Sequence, residues 1–285
     1  MLWALFSIMA GLGDAVFFAY VKALHKLDTS VRLTLCSLIT LPFLLFGFLF
    51  YEIPVVSFKF YIVAIVNAFI WIAAIFLLMK SLETADLSVA IPILSFTPIF
   101  LLFVSNILLG EFPNIQGLIG ILIVVAGSYI LNISSIKSGY FEQIKSIFMG
   151  KGLRMLIVAF LFSITASLIK IGVALSNPAY YLFITYLSIS LILTAVFFRR
   201  LIKNKNLIKL NFKYFFIIGI AVAFSELFIS TALKAAIVPY AISLKRSSVI
   251  FSVLIGFLFF KEKNFKHAIM GSVIMFIGAV LITLS

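Results

Sequence analysis

Ten apolar runs, each about long enough to cross a bilayer, dominate the sequence and limit the folds that the chain can adopt. A helix that crosses the hydrocarbon core needs roughly 20 predominantly apolar residues. The runs are 2–21, 31–50, 60–79, 87–109, 115–133, 155–175, 179–198, 214–233, 236–260 and 267–284. They leave no room for a soluble domain, in agreement with 64% hydrophobic and 11% charged residues. The sequence therefore predicts an all-α integral membrane protein with ten transmembrane helices.

Lysine and arginine are distributed unevenly between the connections, which predicts the orientation of the chain. Loops after the odd-numbered runs hold 17 of the 22 cations, whereas loops after the even-numbered runs hold only Lys59 and Lys234. The remaining three, Lys170, Lys245 and Arg246, are inside runs. Because cytoplasmic loops are enriched in Lys and Arg, we predict a multi-pass protein of the cell membrane with both termini outside. Topology thus explains the formal net charge of +13, and no nucleic-acid partner is predicted.

The two halves of the chain match each other when the sequence is shifted by 151 residues. Ten positions between 81 and 131 then agree, and they include glycines and a glutamate, which match by chance less easily than apolar residues. The pairs are Leu82/Leu233, Ala85/Ala236, Ala90/Ala241, Ile91/Ile242, Ile99/Ile250, Phe100/Phe251, Glu111/Glu262, Gly120/Gly271, Ile123/Ile274 and Gly127/Gly278. We predict two five-helix repeats, 1–133 and 155–285. Because five is odd, the second repeat would enter the membrane from the opposite side, as in the inverted repeats of many transporters.

Residues 134–154 connect the two halves on the predicted cytoplasmic side. Phe141, Ile144 and Phe148 recur there at helical spacing with lysines between them, which indicates an amphipathic helix in the lipid headgroup layer. A solvated linker explains the same composition equally well.

Short motifs at corresponding places in the two halves carry a resemblance to a known family. An acidic residue follows the fourth helix of each half, in LLGEFPN and FFKEKNF, and glycines are spaced along the fifth, in GLIGILIVVAGSYIL and AIMGSVIMFIGAVLI. Together with the ten-helix count and the duplication, this arrangement resembles the EamA family of the drug/metabolite transporter superfamily over nearly the whole chain. The resemblance implies a membrane transporter.

Two adjacent cations, Lys245 and Arg246, interrupt the ninth run. At 1.5 Å per residue from Ala236 they lie about 14–15 Å deep, near the bilayer centre, where each costs roughly 2.5–3.5 kcal/mol. Glu226 and Asp14 reach a similar depth, and a structural ion pair with Glu226 is one interpretation. One glutamate cannot neutralise two cations about 100° apart on a helix, so the other interpretation is an anion site in a wet cavity. The string LKRSSVIFSVLIGFLFF is also similar to organellar phosphate translocators, whose adjacent Lys-Arg pair holds phosphate.

Three further residues are candidates for this cavity on other helices. Lys170 in the sixth run would add positive charge, although its long side chain could instead reach the interface. Asn67 and Trp71 lie one turn apart in the third run. Their amide and indole can line a pocket, or they can pack between helices as polar contacts.

The fourth run should supply the opposite wall, because it is the counterpart of the ninth. Ser95 and Thr97 lie there between Pro92 and Pro98, each of which removes a backbone hydrogen bond and can leave carbonyls free toward a cavity. Hydroxyls in membrane helices also commonly bond to their own helix. Both interpretations of Ser95 and Thr97 stay open.

These features predict a secondary transporter that moves a small anionic or zwitterionic metabolite by alternating access around a midplane site. A lipid flippase, which would have a groove open sideways to lipid, and a structural membrane protein are the alternatives. An enzyme is not expected, because both histidines lie near membrane edges and the sequence has no metal motif or glycine-rich phosphate loop. No catalytic residue, metal ligand or cofactor is therefore predicted.

Two expectations concern coupling and assembly. Asp14 and Glu226 are the candidate proton carriers, and we favour Glu226 because of its expected closeness to the cation pair. The two halves already supply a complete inverted pair, so the chain should function singly even where it forms a homodimer. The predicted partners are a small-molecule substrate and the lipid bilayer.

Overall fold

The architecture is a bundle of helices, seen in a computed structural model that describes residues 1–24, 27–84, 93–132, 151–251 and 265–285. Every regular element within these ranges is helical. The main helices are α1 (Leu2–Ala23), α2 (Thr29–Leu44), α3 (Phe58–Thr84), α4 (Thr97–Leu109), α5 (Ile115–Asn132), α6 (Lys151–Ala174), α7 (Pro178–Lys203), α8 (Phe212–Leu233), α9 (Val238–Lys245) and α10 (Phe265–Thr283). A 3₁₀ helix, Leu45–Leu49, continues α2, and a short α-helix, Lys205–Leu210, follows α7.

The helices have the composition of membrane spans. In the described part of the chain, α1, α2 with its 3₁₀ extension, α3, α6, α7 and α8 are long and apolar enough to cross a bilayer, and α4, α5 and α10 are shorter apolar helices. Large apolar side chains such as Phe69, Leu191 and Phe276 are exposed, as expected where lipid surrounds the protein. The multi-pass, all-α class is thereby confirmed, whereas the count of ten crossing helices stays a prediction.

Local sequence signals set where several helices begin and end. Asp28 caps α2 by accepting a hydrogen bond of 2.8 Å from the backbone N–H of Ser30. Asn177 caps α7, where Pro178 occupies the first helical position. Gly110 ends α4 with φ at 69°, a left-handed conformation that a residue without Cβ adopts at little cost.

Some predicted boundaries change in the structure. Helix α6 begins at Lys151, so the last four residues of the predicted linker 134–154 are helical, and the rest of that linker lies outside the described residues. Arg32 was counted among the loop cations, but it lies inside α2 and is buried. The start of the fourth run and the end of the ninth also lie outside the described residues.

Two glycine contacts join the fifth helices of the two halves. A Cβ added at Gly120 in α5 would lie 2.9 Å from the carbonyl oxygen of Gly278 in α10. A Cβ added at Gly127 would likewise lie 2.9 Å from the carbonyl oxygen of Gly271. These are the glycines that the 151-residue shift pairs, and the order of the contacts makes α5 and α10 antiparallel.

The other helix contacts follow the same exchange between halves. Helix α1 packs on α8 as α6 packs on α3, and α9 packs on α1 as α4 packs on α6. Helix α2 packs on its own counterpart, α7. Exchanging each helix for its counterpart converts each of these contacts into another or, for α2 and α7, into itself, so the packing fits two repeats.

The bundle has two ends, which are named here by a residue at each. The Asp28 end holds the loop between α1 and α2, which contacts the last turn of α7 through Arg200. The Gly110 end holds the loop after α4 and the start of α9, which are linked by Tyr240 and Asn114. The charge distribution predicts that the Gly110 end faces outward.

Candidate functional site

Two helices are interrupted at equivalent positions. Residues 93 and 94 are helical, Ser95 and Phe96 form a turn, and α4 then begins. Helix α9 ends in a turn at Arg246 and Ser247, before helical structure resumes. The two turns are 151 residues apart, and the prediction of one uninterrupted ninth helix is therefore corrected. Irregular backbone at membrane depth is tolerated where it is buried in protein or lines a cavity.

A cavity of ≈ 100 Å³ lies beside these breaks. Its walls come from α1, α2, α3, α4, α6, α7, α8 and the end of α9. Six of the predicted site residues line it: Asp14, Trp71, Thr97, Glu226, Lys245 and Arg246. The residues that depth arithmetic placed near the midplane are thus adjacent in space, and they come from both halves of the chain.

Lys245 lies between two carboxylates. Its Nζ is 3.2 Å from Oδ2 of Asp14 and 3.7 Å from Oε1 of Glu226, and its side chain is 12% exposed. Asp14 is fixed further by Ser225, whose Oγ donates a hydrogen bond of 2.6 Å to Oδ1. The sequence placed both acids at this depth but considered an ion pair with Glu226 alone, whereas Lys245 contacts both.

The close approach of α1 to this region depends on Gly11. A Cβ at that position would lie 2.6 Å from the carbonyl oxygen of Lys245 and 3.0 Å from the backbone nitrogen of Ser248. A larger residue would therefore push α1, and Asp14 with it, away from the break in the ninth run.

Arg246, unlike Lys245, forms no salt bridge with any of the described residues. It is 7% exposed, and its Nη2 donates a hydrogen bond of 2.8 Å to Oγ1 of Thr97. Thr97 in turn donates to the carbonyl oxygen of Leu94 at 2.6 Å. The Nε of Arg246 and the hydroxyl of Tyr186, another lining residue, have no hydrogen-bond partner among the described residues. Both atoms are hydrogen-bond donors that could bind an acceptor group placed in the cavity.

Where α3 and α6 line the cavity, their side chains are mostly apolar. Trp71, Ile75 and Leu78 of α3 line it together with Phe162 and Ile169 of α6. Ile75 is the counterpart of Glu226 in the 151-residue shift. The charged side chains of the lining thus come from α1, α8 and the end of α9, whereas α3 contributes none.

The sequence matches one family model in both halves. The model of the EamA-like transporter family matches residues 1–133 and 151–284. The chain belongs to the EamA-like transporter family. Members of this family are membrane transporters of the drug/metabolite transporter superfamily and not, in general, enzymes.

Comparison with other proteins adds support for the fold alone. No curated protein matches this EamA-like transporter, whereas 28 chains of solved structures do. One crystal structure superimposes with a TM-score of 0.71 at 13% sequence identity, and the match covers 99% of this chain and 96% of the other. At that identity the likeness gives an architecture and no substrate.

Three predicted site residues of the EamA-like transporter are not among the lining residues of the cavity. Lys170 forms a salt bridge with Glu111 instead. Asn67 lies one turn before Trp71, and its buried Oδ1 has no partner among the described residues. Ser95 shares a hydrogen bond with Ser128 of α5, a contact between helices and not the bond to its own helix that the sequence offered as the alternative.

Sequence reasoning also missed residues that the structure brings to the site. Tyr186 is the clearest, and its only signal was a hydroxyl near the middle of the seventh run. Thr165, the counterpart of Asp14, lines the cavity as well. Glu111 was noted only as part of a repeated motif, and the duplication gave no indication that it would pair with Lys170.

Proposed function

We propose that this EamA-like transporter carries a small zwitterionic or anionic metabolite by alternating access around the cavity. The observation that carries the proposal is the difference between the partners of the two cavity cations, Lys245 and Arg246. Lys245 is already matched by Asp14 and Glu226, whereas among the described residues the buried Arg246 binds only Thr97 and its Nε has no partner. A carboxylate or phosphate group of a substrate would complete the charge-assisted hydrogen bonds of that guanidinium.

The shape of the charge distribution narrows the substrate class. A substrate with a hydrocarbon part would place its anionic group at Arg246 and Tyr186 and its apolar part against Trp71, Ile75 and Phe162. Asp14 and Glu226, which contact Lys245, could also bind an ammonium group of the substrate. A zwitterion with an apolar side chain would contact both the charged and the apolar lining residues, whereas a plain anion would contact only the charged ones.

The repeat supplies the mechanism of access. Helices α5 and α10 are counterparts and run antiparallel in contact, which is what an inverted-topology pair requires. We propose that the halves rock about this pair and that a single chain suffices. The orientation with both termini outside and proton uptake at Glu226 are part of the same proposal.

A ligand-binding measurement tests the proposal directly. The purified protein is melted with inorganic phosphate, dicarboxylates, amino acids, neutral sugars and lipid headgroup analogues, and ligands at about 100 times their Kd should stabilise it by about 2.7 kcal/mol. Stabilisation should need an anionic group and should disappear in Arg246→Met. Lys59→Met, which removes an exposed cation at the Gly110 end, is the control. Stabilisation by headgroup analogues alone, unchanged in Arg246→Met, would support a flippase instead.

A further inference from the structure

A second charged cluster lies at the Gly110 end, outside the cavity. Lys170 of α6 forms a salt bridge with Glu111, and its Nζ also donates a hydrogen bond of 2.6 Å to the carbonyl oxygen of Ala236. The second carboxylate oxygen of Glu111 accepts a hydrogen bond of 2.9 Å from the backbone N–H of Val238. Lys170 and Glu111 thus bind backbone groups just before and just after the start of α9.

The cluster ties three separate segments together. Glu111 follows the left-handed Gly110 that ends α4, Lys170 belongs to α6, and Ala236 and Val238 frame the start of α9. The two side chains are only 20% and 16% exposed, so water screens the pair less than it screens a surface salt bridge. Val238 is in the first turn of α9, whose N–H groups have no partner within the helix, and a carboxylate there is favoured by both hydrogen bonding and the helix dipole.

The position of the cluster relates it to the cavity. Helix α9 has only eight residues and runs from this cluster to Lys245, so a shift of its first turn would move the cavity cations. Helix α6, which carries Lys170, also lines the cavity through Thr165 and Ile169. A movement that opened the cavity toward the Gly110 end by separating α9 from α6 or from the end of α4 would break these contacts.

The cluster is not duplicated in full. Glu262 is the counterpart of Glu111, but the counterpart of Lys170 is Ala19. The equivalent pair of positions, 262 and 19, therefore has the acid without the cation.

We infer that Lys170 and Glu111 form a latch that holds the cavity closed toward the Gly110 end and opens in each transport cycle. This inference rests on the proposed function, since it assumes alternating access. The two residues are positioning residues, because neither lines the cavity. Without the cation of the latch, the equilibrium shifts toward the state that is open at the Gly110 end.

Cys36 provides a native reporter for this state. It is the sole cysteine of the chain, it is buried, and it lines the cavity. The experiment applies a membrane-impermeant methanethiosulfonate to either face of oriented vesicles and measures the rate at which Cys36 is labelled. Protein unfolded in detergent shows that the thiol can react.

The variants are expected to change the labelling rate of Cys36 to different extents. Lys170→Met should raise the labelling rate from the Gly110 side about tenfold and leave the rate from the Asp28 side equal or lower. Glu111→Gln should have a smaller effect, because its amide oxygen can still accept from Val238. Arg200→Met removes the partner of Asp28 at the other end and should not change labelling from the Gly110 side.

Two negative outcomes distinguish a failure of the latch from a failure of the proposed function. Labelling from each face at wild-type rates in both Lys170→Met and Glu111→Gln overturns the latch and leaves alternating access intact. If folded wild-type protein and both variants label from neither face while unfolded protein labels, the cavity is never exposed and the proposed function itself fails. Melting curves of each variant establish that the labelled protein is folded.

Discussion

The Nη2 of Arg246 donates a hydrogen bond of 2.8 Å to Oγ1 of Thr97, and this bond joins the broken ninth helix to the broken fourth. The two residues belong to different halves of the chain, and both line the cavity. The cation assigned to the substrate is therefore oriented by the half that does not carry it. Any rocking of the halves changes the surroundings of Arg246.

Thr97→Val should weaken ligand binding about tenfold or more, because a hydrogen bond to a charged group contributes about 1.5–3 kcal/mol. Valine keeps the shape of threonine but removes the acceptor of Arg246. Thr40→Val is the matched control, since Thr40 also lines the cavity but donates to its own helix, to the carbonyl oxygen of Cys36 at 2.7 Å. Ligand-induced shifts of the melting curve measure both variants, and equal affinities for the two would contradict the assignment.

Lys245→Met should destabilise the protein by about 3–5 kcal/mol, because it leaves two carboxylates without their shared cation. Adding Asp14→Asn and Glu226→Gln to the same protein should recover most of that loss. The free energy of unfolding of the single and triple variants is the measurement. A single variant as stable as wild type would mean that Asp14 and Glu226 do not depend on Lys245.

Apolar run length predicted the class of fold because each run must satisfy one requirement, the thickness of the bilayer. It could not predict the break at Arg246 and Ser247. No proline or glycine marks that turn in SLKRSSVIF, and hydropathy does not distinguish a continuous helix from an interrupted one. The 151-residue shift did pair Ser95 with Arg246, and the fourth run is interrupted at Ser95.

Depth along a helix is readable from sequence, but the direction in which a side chain points is not. Asp14, Glu226 and Lys245 were placed at one level by counting residues, and they do meet. Lys170 was expected to add positive charge to the same site or to reach the interface, yet its partner is Glu111 from the other half of the chain. Which residues face each other depends on helix rotation, and tertiary packing alone sets that rotation.

Gly278→Ala should destabilise the protein by about 1–3 kcal/mol, the usual cost of overpacking. Its Cβ would lie 2.7 Å from the carbonyl oxygen of Gly120 and 2.8 Å from the backbone nitrogen of Val124, and backbone atoms cannot move aside as a flexible side chain can. Val280→Ala, two residues further along and exposed, is the control and should change stability by less than about 0.5 kcal/mol. Unfolding curves compare the two, and equal stabilities would show that α5 and α10 adjust freely.

Asp28→Ala should cost about 1 kcal/mol at pH 7, the typical contribution of a helix N-cap. Partial burial alone would raise the pKa of Asp28, but the hydrogen bonds from Ser30 and Val31 and the Arg200 guanidinium outweigh it and hold the pKa below its ordinary value. The stabilisation is therefore complete above the unfolded pKa of about 3.9 and disappears as the pH falls through the lower folded pKa. Melting at neutral pH and near pH 3 checks this, with Asp28→Asn as the variant that keeps the cap without the charge. A difference from wild type that is the same at both pH values would contradict it.

Cysteine labelling should place Ser285 outside the cell and Lys205 inside. The expectation follows from the concentration of Lys and Arg in and next to the connections on one side, which assigns the Asp28 end to the cytoplasm. Ser285→Cys and Lys205→Cys, each made with Cys36→Ser so that the cavity thiol does not react, are treated with an impermeant maleimide on intact cells and then on opened cells. Ser285→Cys should label in both cases and Lys205→Cys only after opening. The reverse pattern would turn the Gly110 end toward the cytoplasm, and the Lys170–Glu111 latch would then close the inner side of the cavity.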